Sequence, residues 1–394
     1  MALAEGVATR VAAARDAIAI AGIDGWLLYD FQGKNPIFWQ LLGEPRHTTR
    51  RCYLLVPRAG EPRMLCHAID VTALSPSGIP MTTYITWQDL SAALPLFLRD
   101  RRRLAMDYSP GSMLPVVSRV DGGTLDLVRA LGIEVVSSAD LIQAAVARWS
   151  AGDLADHLSA AEKLHASLRE SFRYIAERVN EGITEFGVAR FLRDEFSRRG
   201  VTTEDGPIVA VNAHSGDPHY EPSATDDTPI RIGDWLLIDL WARESRPGTV
   251  YADSTWVAVI GRDPTKRELK VFDAVRRARD AAVERIRSGW RAGEPVAGWQ
   301  VDRAARDVIA AAGYGAHFTH RTGHSLGQQV HGPGVNLDDF ETHDTRALIQ
   351  GIAVTVEPGI YLPEFGARSE INVVMTAQGP RVTLPEQLEV TRIA

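Results

Sequence analysis

Apolar residues in the first 150 positions come in short runs separated by turn-forming stretches. "DGWLLY", "RRCYLLVP", "MLCHAI", "RRLAMD" and "GIEVVS" read as strands, with "RAGEPR" as a turn and "GTLDLVRAL" as a helix between them. This alternation predicts a smaller α/β domain. Near "RWSAGDLADHL" the period changes. Leu154, Leu158, Ala161, Leu164 and Leu168 fall on one stripe of a long helix that Gly182 closes. A second helix places Val188, Phe191, Leu192 and Phe196 on one face. A third opens at Thr265 with Glu268 as its capping-box partner and carries Leu269, Phe272, Val275 and Ile286 as its stripe. A fourth runs through "GWQVDRAARDVIAAAG". Strand-like runs follow and interleave: "DWLLIDLWA", "TVYADSTWVAVIG", "AVTVEPGIYL" and "RSEINVVMT". Helices against a largely antiparallel sheet predict an α+β domain over residues 151–394, after a first domain over 1–150.

Size and composition agree with two globular domains. The chain has 394 residues, 45% hydrophobic and 24% charged, too long for a single ordinary core. Its formal net charge is −7 and its basic residues are scattered, which argues against nucleic acid or an anionic membrane as a partner. The N-terminal segment lacks the apolar core of a signal peptide, and no eighteen-residue apolar window occurs. A cytoplasmic location is the expectation. Cys52 and Cys66 both sit in strand-like runs and read as core thiols.

The strands carry residues that burial should exclude. Asp239 interrupts "LLIDLW", Asp253 "VYADSTWVAV", Glu357 "VTVEPGI" and Glu370 "SEINVVM". A lone ionised carboxylate in such surroundings costs several kcal/mol or more unless it is paired. Four in four strands, without a matching set of Arg or Lys in those strands, call for divalent cations. Strand parity puts Asp239 on the face of Trp235, Leu237 and Trp241, and Asp253 on that of Tyr251 and Thr255. A hairpin between them brings the two aspartates together. Such a set suits two ions roughly 3.5–4 Å apart that activate a water. Oxygen donors with one imidazole favour Mn, Co or Zn. "HRTGHSLGQQVHG" concentrates His320, His324 and His331, three of eleven histidines, and one of them completes the site. Spacing alone leaves open which.

In order, Asp239, Asp253, His324, Glu357 and Glu370 resemble the five-ligand signature of the pita-bread metallopeptidases: prolidase, aminopeptidase P and methionine aminopeptidase. "LLIDL", "YADST", "HRTGHSLGQQVH", "TVEPGIY" and "RSEI" carry the likeness. The first 150 residues, with "NPIFWQLLG", are similar to the N-terminal domain of creatinase, prolidase and aminopeptidase P, which methionine aminopeptidases lack. The resemblance implies a creatinase-type N-terminal domain before a pita-bread catalytic domain, two divalent ions (Mn, Co or Zn), and a small peptide substrate with proline in second position. By position, Asp239 binds the first ion, Asp253 and Glu370 bridge, and His324 and Glu357 bind the second. Glu357 also acts as general base. His219, His320 and His331 match substrate-contacting histidines, and Arg368 matches an arginine beside the metals. His214 reads as a loop histidine. The likeness also implies a homodimer whose N-terminal domain reaches the partner's site.

Several positions depart from the pattern. Trp241 stands where the family has glycine after Asp-Leu, Trp256 where it has arginine, and Gly332 where an acidic residue is common. No ligand is lost, but the pocket is open to change. An Xaa-Pro dipeptidase is the leading expectation and aminopeptidase P on longer peptides the alternative. A metal-free creatinase-like amidinohydrolase and a non-catalytic binding module are more remote, since each leaves four buried carboxylates uncompensated.

Overall fold

A computed structural model describes residues 3–393. The chain divides into two compact units, Met1–Arg148 and Trp149–Ala394. No helix among the described residues is long and apolar enough to cross a membrane.

The first unit is built on a six-stranded sheet of β1 (Gly25–Phe31), β2 (Arg51–Pro57), β3 (Arg63–His67), β4 (Met81–Tyr84), β5 (Arg103–Met106) and β6 (Glu134–Ser137), in the order β4-β3-β2-β1-β5-β6. β4 is the strand that the apolar pattern does not announce. Its burial runs intermediate, exposed, exposed, buried, so it lacks an alternating signal. Alternate residues feed two cores: Trp26, Leu28 and Leu54 pack on the side of the helix Glu5–Ala21, while Leu27, Tyr29 and Leu55 meet Leu94 and Val128. A sheet covered on both faces explains the near-continuous apolar runs. Cys52 and Cys66 are register partners on β2 and β3, both buried as free thiols. Polar groups are buried here too, Asp107 and Ser138 completely. Asp107 accepts from Trp26 Nε1, Asn35 Nδ2 and the Ser138 hydroxyl at 2.7–2.9 Å, so its desolvation is answered by hydrogen bonds.

The second unit contains β7 (Val201–Thr202), β8 (Ile208–Val211), β9 (Trp235–Glu244), β10 (Ala252–Ile260), β11 (Ala353–Val356), β12 (Gly359–Tyr361), β13 (Gly366–Arg368), β14 (Ile371–Thr376), β15 (Gly379–Val382) and β16 (Thr391–Ile393). In place of one antiparallel sheet there are three: β16-β10-β9-β7 with β8 also on β9, β11-β14-β15, and β12-β13. The break comes at Pro358 and at Ser369–Glu370, where the runs read as single strands each divide in two. The helices Ala151–Arg178 and Glu185–Arg199 cover one face of β9 and β10. Ile238, Leu240, Ala242, Ala252 and Ala258 join their core. The third helix, Lys266–Ala292, has the predicted Thr265–Glu268 capping box, with both hydrogen bonds present. Its stripe is Phe272, Val275 and Ile286; Leu269 lies off it and is exposed. The opposite face of β9 and β10 carries Asp239, Asp253 and Thr255 among apolar neighbours such as Trp235 and Val257.

Candidate active site

β9 and β10 are antiparallel, with Asp239 opposite Thr255 and Trp241 opposite Asp253. Opposed residues share a face, so Asp239 and Asp253 lie diagonally, two positions out of register. Trp256 points the other way, its ring 5.3 Å from that of His165 and packed on the helical core. Glu357 follows β11, and its amide donates to the Thr322 carbonyl at 2.8 Å. Glu370 sits between β13 and β14. His324 lies on the loop beside β11, where its amide donates to Thr355 Oγ1 at 2.9 Å. The strand breaks give Glu357 and Glu370 their place: both leave their ladders at the point of convergence.

Donor atoms of Asp253, His324 and Glu370 all lie within 4.8 Å of one another, and all three residues are buried. His324 Nε2 is 3.6 Å from Asp253 Oδ2 and 3.3 Å from Glu357 Oε1. Its Nδ1 lies 3.1 Å from the Ser325 carbonyl, which takes that proton and leaves the Nε2 lone pair facing the carboxylates. Thr255 is the hub. Its hydroxyl reaches Asp239 Oδ1 at 2.9 Å and Glu370 Oε2 at 2.8 Å, and accepts from Arg368 Nε at 3.0 Å. Thr355 similarly serves Glu357 Oε1 at 2.9 Å. Asn372 pins the Asp253 backbone through both its amide and its carbonyl.

Charge in this cluster is unbalanced. Burial, then Asp239 and Glu357, hold the Asp253 carboxyl well above the usual carboxylate range. Burial and Asp253 do the same to Glu370. Glu357 is pushed up to about 7, chiefly by burial, with Arg368 opposing. Burial drives His324 well below its ordinary value. Four carboxylates surround the one guanidinium buried with them, Arg368, and Glu370 Oε1 is buried with no hydrogen-bond partner. That orphaned oxygen, the neutral imidazole and the excess acid fit divalent cations.

Every nitrogen of Arg368 has a partner inside the cluster: Nη2 pairs with Asp239, Nη1 donates to the Tyr361 hydroxyl at 2.9 Å, and Nε donates to the Thr255 hydroxyl. These bonds fix the guanidinium against the cluster. His320 Nε2 lies 2.7 Å from the Tyr361 hydroxyl, and its Nδ1 lies 2.6 Å from the Arg321 carbonyl. Both its nitrogens are committed, and burial lowers its pKa to about 3. His331 stands edge-on to His324, ring centroids 4.3 Å apart, and the residue is partly exposed at the surface. His219 is not drawn into this cluster. It is exposed on the loop after the turn Asn212–Gly216, its amide donating to Asp217 Oδ1. His214 is more than a loop residue: its Nδ1 lies 2.9 Å from Oε2 of the buried Glu185. Sequence reasoning missed Tyr361, Thr255, Thr355 and Asn372. Tyr361 shares strand parity with Glu357, the one signal that could have found it.

Fold and site together define a metallopeptidase of two-domain, pita-bread architecture. The match to the model of metallopeptidase family M24 over residues 157–377 confirms this, and the chain belongs to that family. It is 30% identical over 397 residues to the probable dipeptidase PepE of Mycobacterium tuberculosis, covering 95% of this chain and 94% of that one. The crystal structure of dipeptidase PepE from Mycobacterium ulcerans superposes with a TM-score of 0.77 at 26% identity, covering all of both chains. The Xaa-Pro dipeptidase from Bacillus anthracis shares the fold, with a TM-score of 0.70 at 21% identity over 98% of this chain and 99% of that one.

Proposed function

We propose that this peptidase is a dinuclear metal enzyme that hydrolyses Xaa-Pro dipeptides. The observation that carries the reading is the buried, undercompensated carboxylate set around His324, with Glu370 Oε1 lacking any partner. Asp239, Asp253, His324, Glu357 and Glu370 would hold the ions, Asp253 and Glu370 between them. Divalent ions at such a centre polarise the scissile carbonyl and supply an activated water.

This chain's own groups do the rest. Glu357, a carboxylate at the edge of the cluster with Oε1 on Thr355, would take a proton from the attacking water and return it as the C–N bond breaks. That proton is needed on the proline nitrogen, which is tertiary in the substrate. His331, the partly exposed residue beside His324, faces the developing oxyanion or the leaving nitrogen. The Tyr361 hydroxyl accepts from Arg368 and donates to the neutral His320 imidazole, so it positions both beside the cluster. His219 would contact substrate from its exposed loop. The dipeptidase names of the PepE proteins support the short-substrate reading, and the resemblance supports a homodimer.

Comparing kcat/KM for Leu-Pro, a Xaa-Pro-Xaa tripeptide and a longer peptide tests it. Faster cleavage of the dipeptide is expected. Equal or faster cleavage of the longer substrates transfers the reading to aminopeptidase P, which the commitment of Arg368 to Asp239, Tyr361 and Thr255 would favour. Loss of all activity toward proline peptides, with Leu-Ala still cleaved, overturns the Xaa-Pro assignment.

A further inference from the structure

Trp241 is where this chain departs from the glycine of its relatives' pattern, and the structure gives it a partner. β7 and β8 both pair with β9: Thr202 faces Arg243 and Ile208 faces Asp239. Between these anchors, five residues, 203–207, stand opposite three, 240–242, so the segment must arch off the ladder as a bulge. The arch passes over the Trp241 ring. A Cβ built on Gly206 would lie 2.5 Å from the indole Cη2 and Cζ2, and Gly206 has a φ of +65°. Only glycine serves there. The indole Nε1 then donates to Asp205 Oδ1 at 3.0 Å.

Trp241 lies directly across from Asp253 and two residues beyond Asp239, on the carboxylate face. It packs against the small apolar cluster of Tyr251, Leu326, Ala353 and Val374, as does Val330 beside His331. Asp205 is exposed, and among the described residues only its Oδ1 is held by a side-chain hydrogen bond. Asp205 is thus a carboxylate outside the metal-type cluster, held at one oxygen by the residue that stands opposite Asp253.

We propose that Trp241 and Asp205 form one specificity-determining unit, in which the indole fixes Asp205 so that its other oxygen receives an alkylammonium of the substrate. This rests on the peptidase reading above. The ammonium is either the free amino terminus or a basic side chain of the first residue. A donor–acceptor pair that is charge-assisted and preorganised contributes roughly 10- to 100-fold in affinity.

The test uses the Mn-loaded full chain with Leu-Pro, Lys-Pro and N-acetyl-Leu-Pro. Asp205→Asn, a surface change, should raise KM for Leu-Pro at least tenfold with kcat within threefold. It should also erase the preference for Leu-Pro over its N-acetyl form. Trp241→Phe keeps the ring but removes the N–H, and should shift the same ratio in the same direction by a smaller factor. A KM rise confined to Lys-Pro assigns the ammonium to the side chain. Asp205→Asn with KM unchanged for both free dipeptides overturns the inference while wild-type turnover leaves the peptidase reading intact. If wild type turns over none of these, that reading fails on its own. Calorimetric Kd for Leu-Pro then decides, with tenfold weakening in Asp205→Asn expected and equal affinity overturning the role.

Discussion

Arg368 and Asp239 are paired inside the carboxylate cluster, and the pairing fixes what each can do. Asp239 keeps Oδ1 on Thr255 and shares Oδ2 with the guanidinium, while Arg368 has Tyr361 and Thr255 on its remaining nitrogens. Burial works against the cation, yet Tyr361, Asp239 and Glu357 raise its pKa well above the ordinary value. Arg368 is a fixed charge that organises the site.

Replacing Arg368 with Gln should therefore leave Asp239 uncompensated. Breaking a buried pair by removing one partner costs about 3–5 kcal/mol. We expect a lower Tm in metal-free protein and a fall in kcat, rather than a KM rise specific to the substrate carboxylate. A pure KM effect would show that Arg368 binds substrate directly.

Glu357→Gln keeps the shape and one oxygen donor but removes the base. Turnover should fall by about 10²-fold or more, with metal content by elemental analysis unchanged. Near-normal turnover with metal bound would leave Glu357 as a ligand alone.

Thr255→Val is nearly isosteric and removes the hydroxyl shared by Asp239, Glu370 and Arg368. Loss of a partner that orients ligands weakens metal affinity or activity by about 10–100-fold. Titration of the apoprotein with Mn or Zn measures it; unchanged affinity and activity would show that the carboxylates hold their geometry unaided.

Exhaustive chelation should abolish hydrolysis, and Mn, Co or Zn should restore it. Ions bound only by the folded state also stabilise it, by about 2.7 kcal/mol at a hundred times Kd. A Tm indifferent to added metal would contradict the site, because the Glu370 oxygen would then have found another remedy.

His157 sets an acid limit away from the site. It is fully buried, with Nδ1 2.8 Å from the Tyr251 carbonyl and Nε2 2.7 Å from the Thr383 hydroxyl. Burial, opposed by the Tyr251 hydrogen bond, lowers its pKa to about 4. The folded state binds this proton less readily than the unfolded chain, whose histidine titrates near 6.5. Stability is therefore full above about pH 6.5 and declines as pH falls toward 4, by up to about 3 kcal/mol at 1.36 kcal/mol per pKa unit. Denaturation curves between pH 7 and 4 should show this decline, and His157→Gln should flatten it.

The carboxylates were legible because charge inside an apolar strand run is a local contradiction that needs no neighbour to be noticed. Strand parity likewise placed Asp239 on the face of Trp241, and Asp253 on that of Thr255, before any pairing was known. The helix stripes were readable for the same reason, since period 3.6 is written in consecutive residues; Leu269 escaped because exposure of one position depends on what packs beside it. Tertiary structure alone decided the rest. Register set Asp239 diagonal to Asp253, the strand breaks at Pro358 and Ser369–Glu370 brought Glu357 and Glu370 to the same point, and folding closed the 115-residue separation between Thr255 and Glu370 to a hydrogen bond. Thr255, Thr355, Asn372 and Tyr361 look like ordinary strand residues in sequence, because a hydroxyl or amide reveals its partner only once the chain has folded around it. Trp241 is the sharpest case. The resemblance marks it as a departure from the family's glycine, but the Gly206 that makes room for it and the carboxylate it holds lie across a bulge, where only strand pairing brings them together.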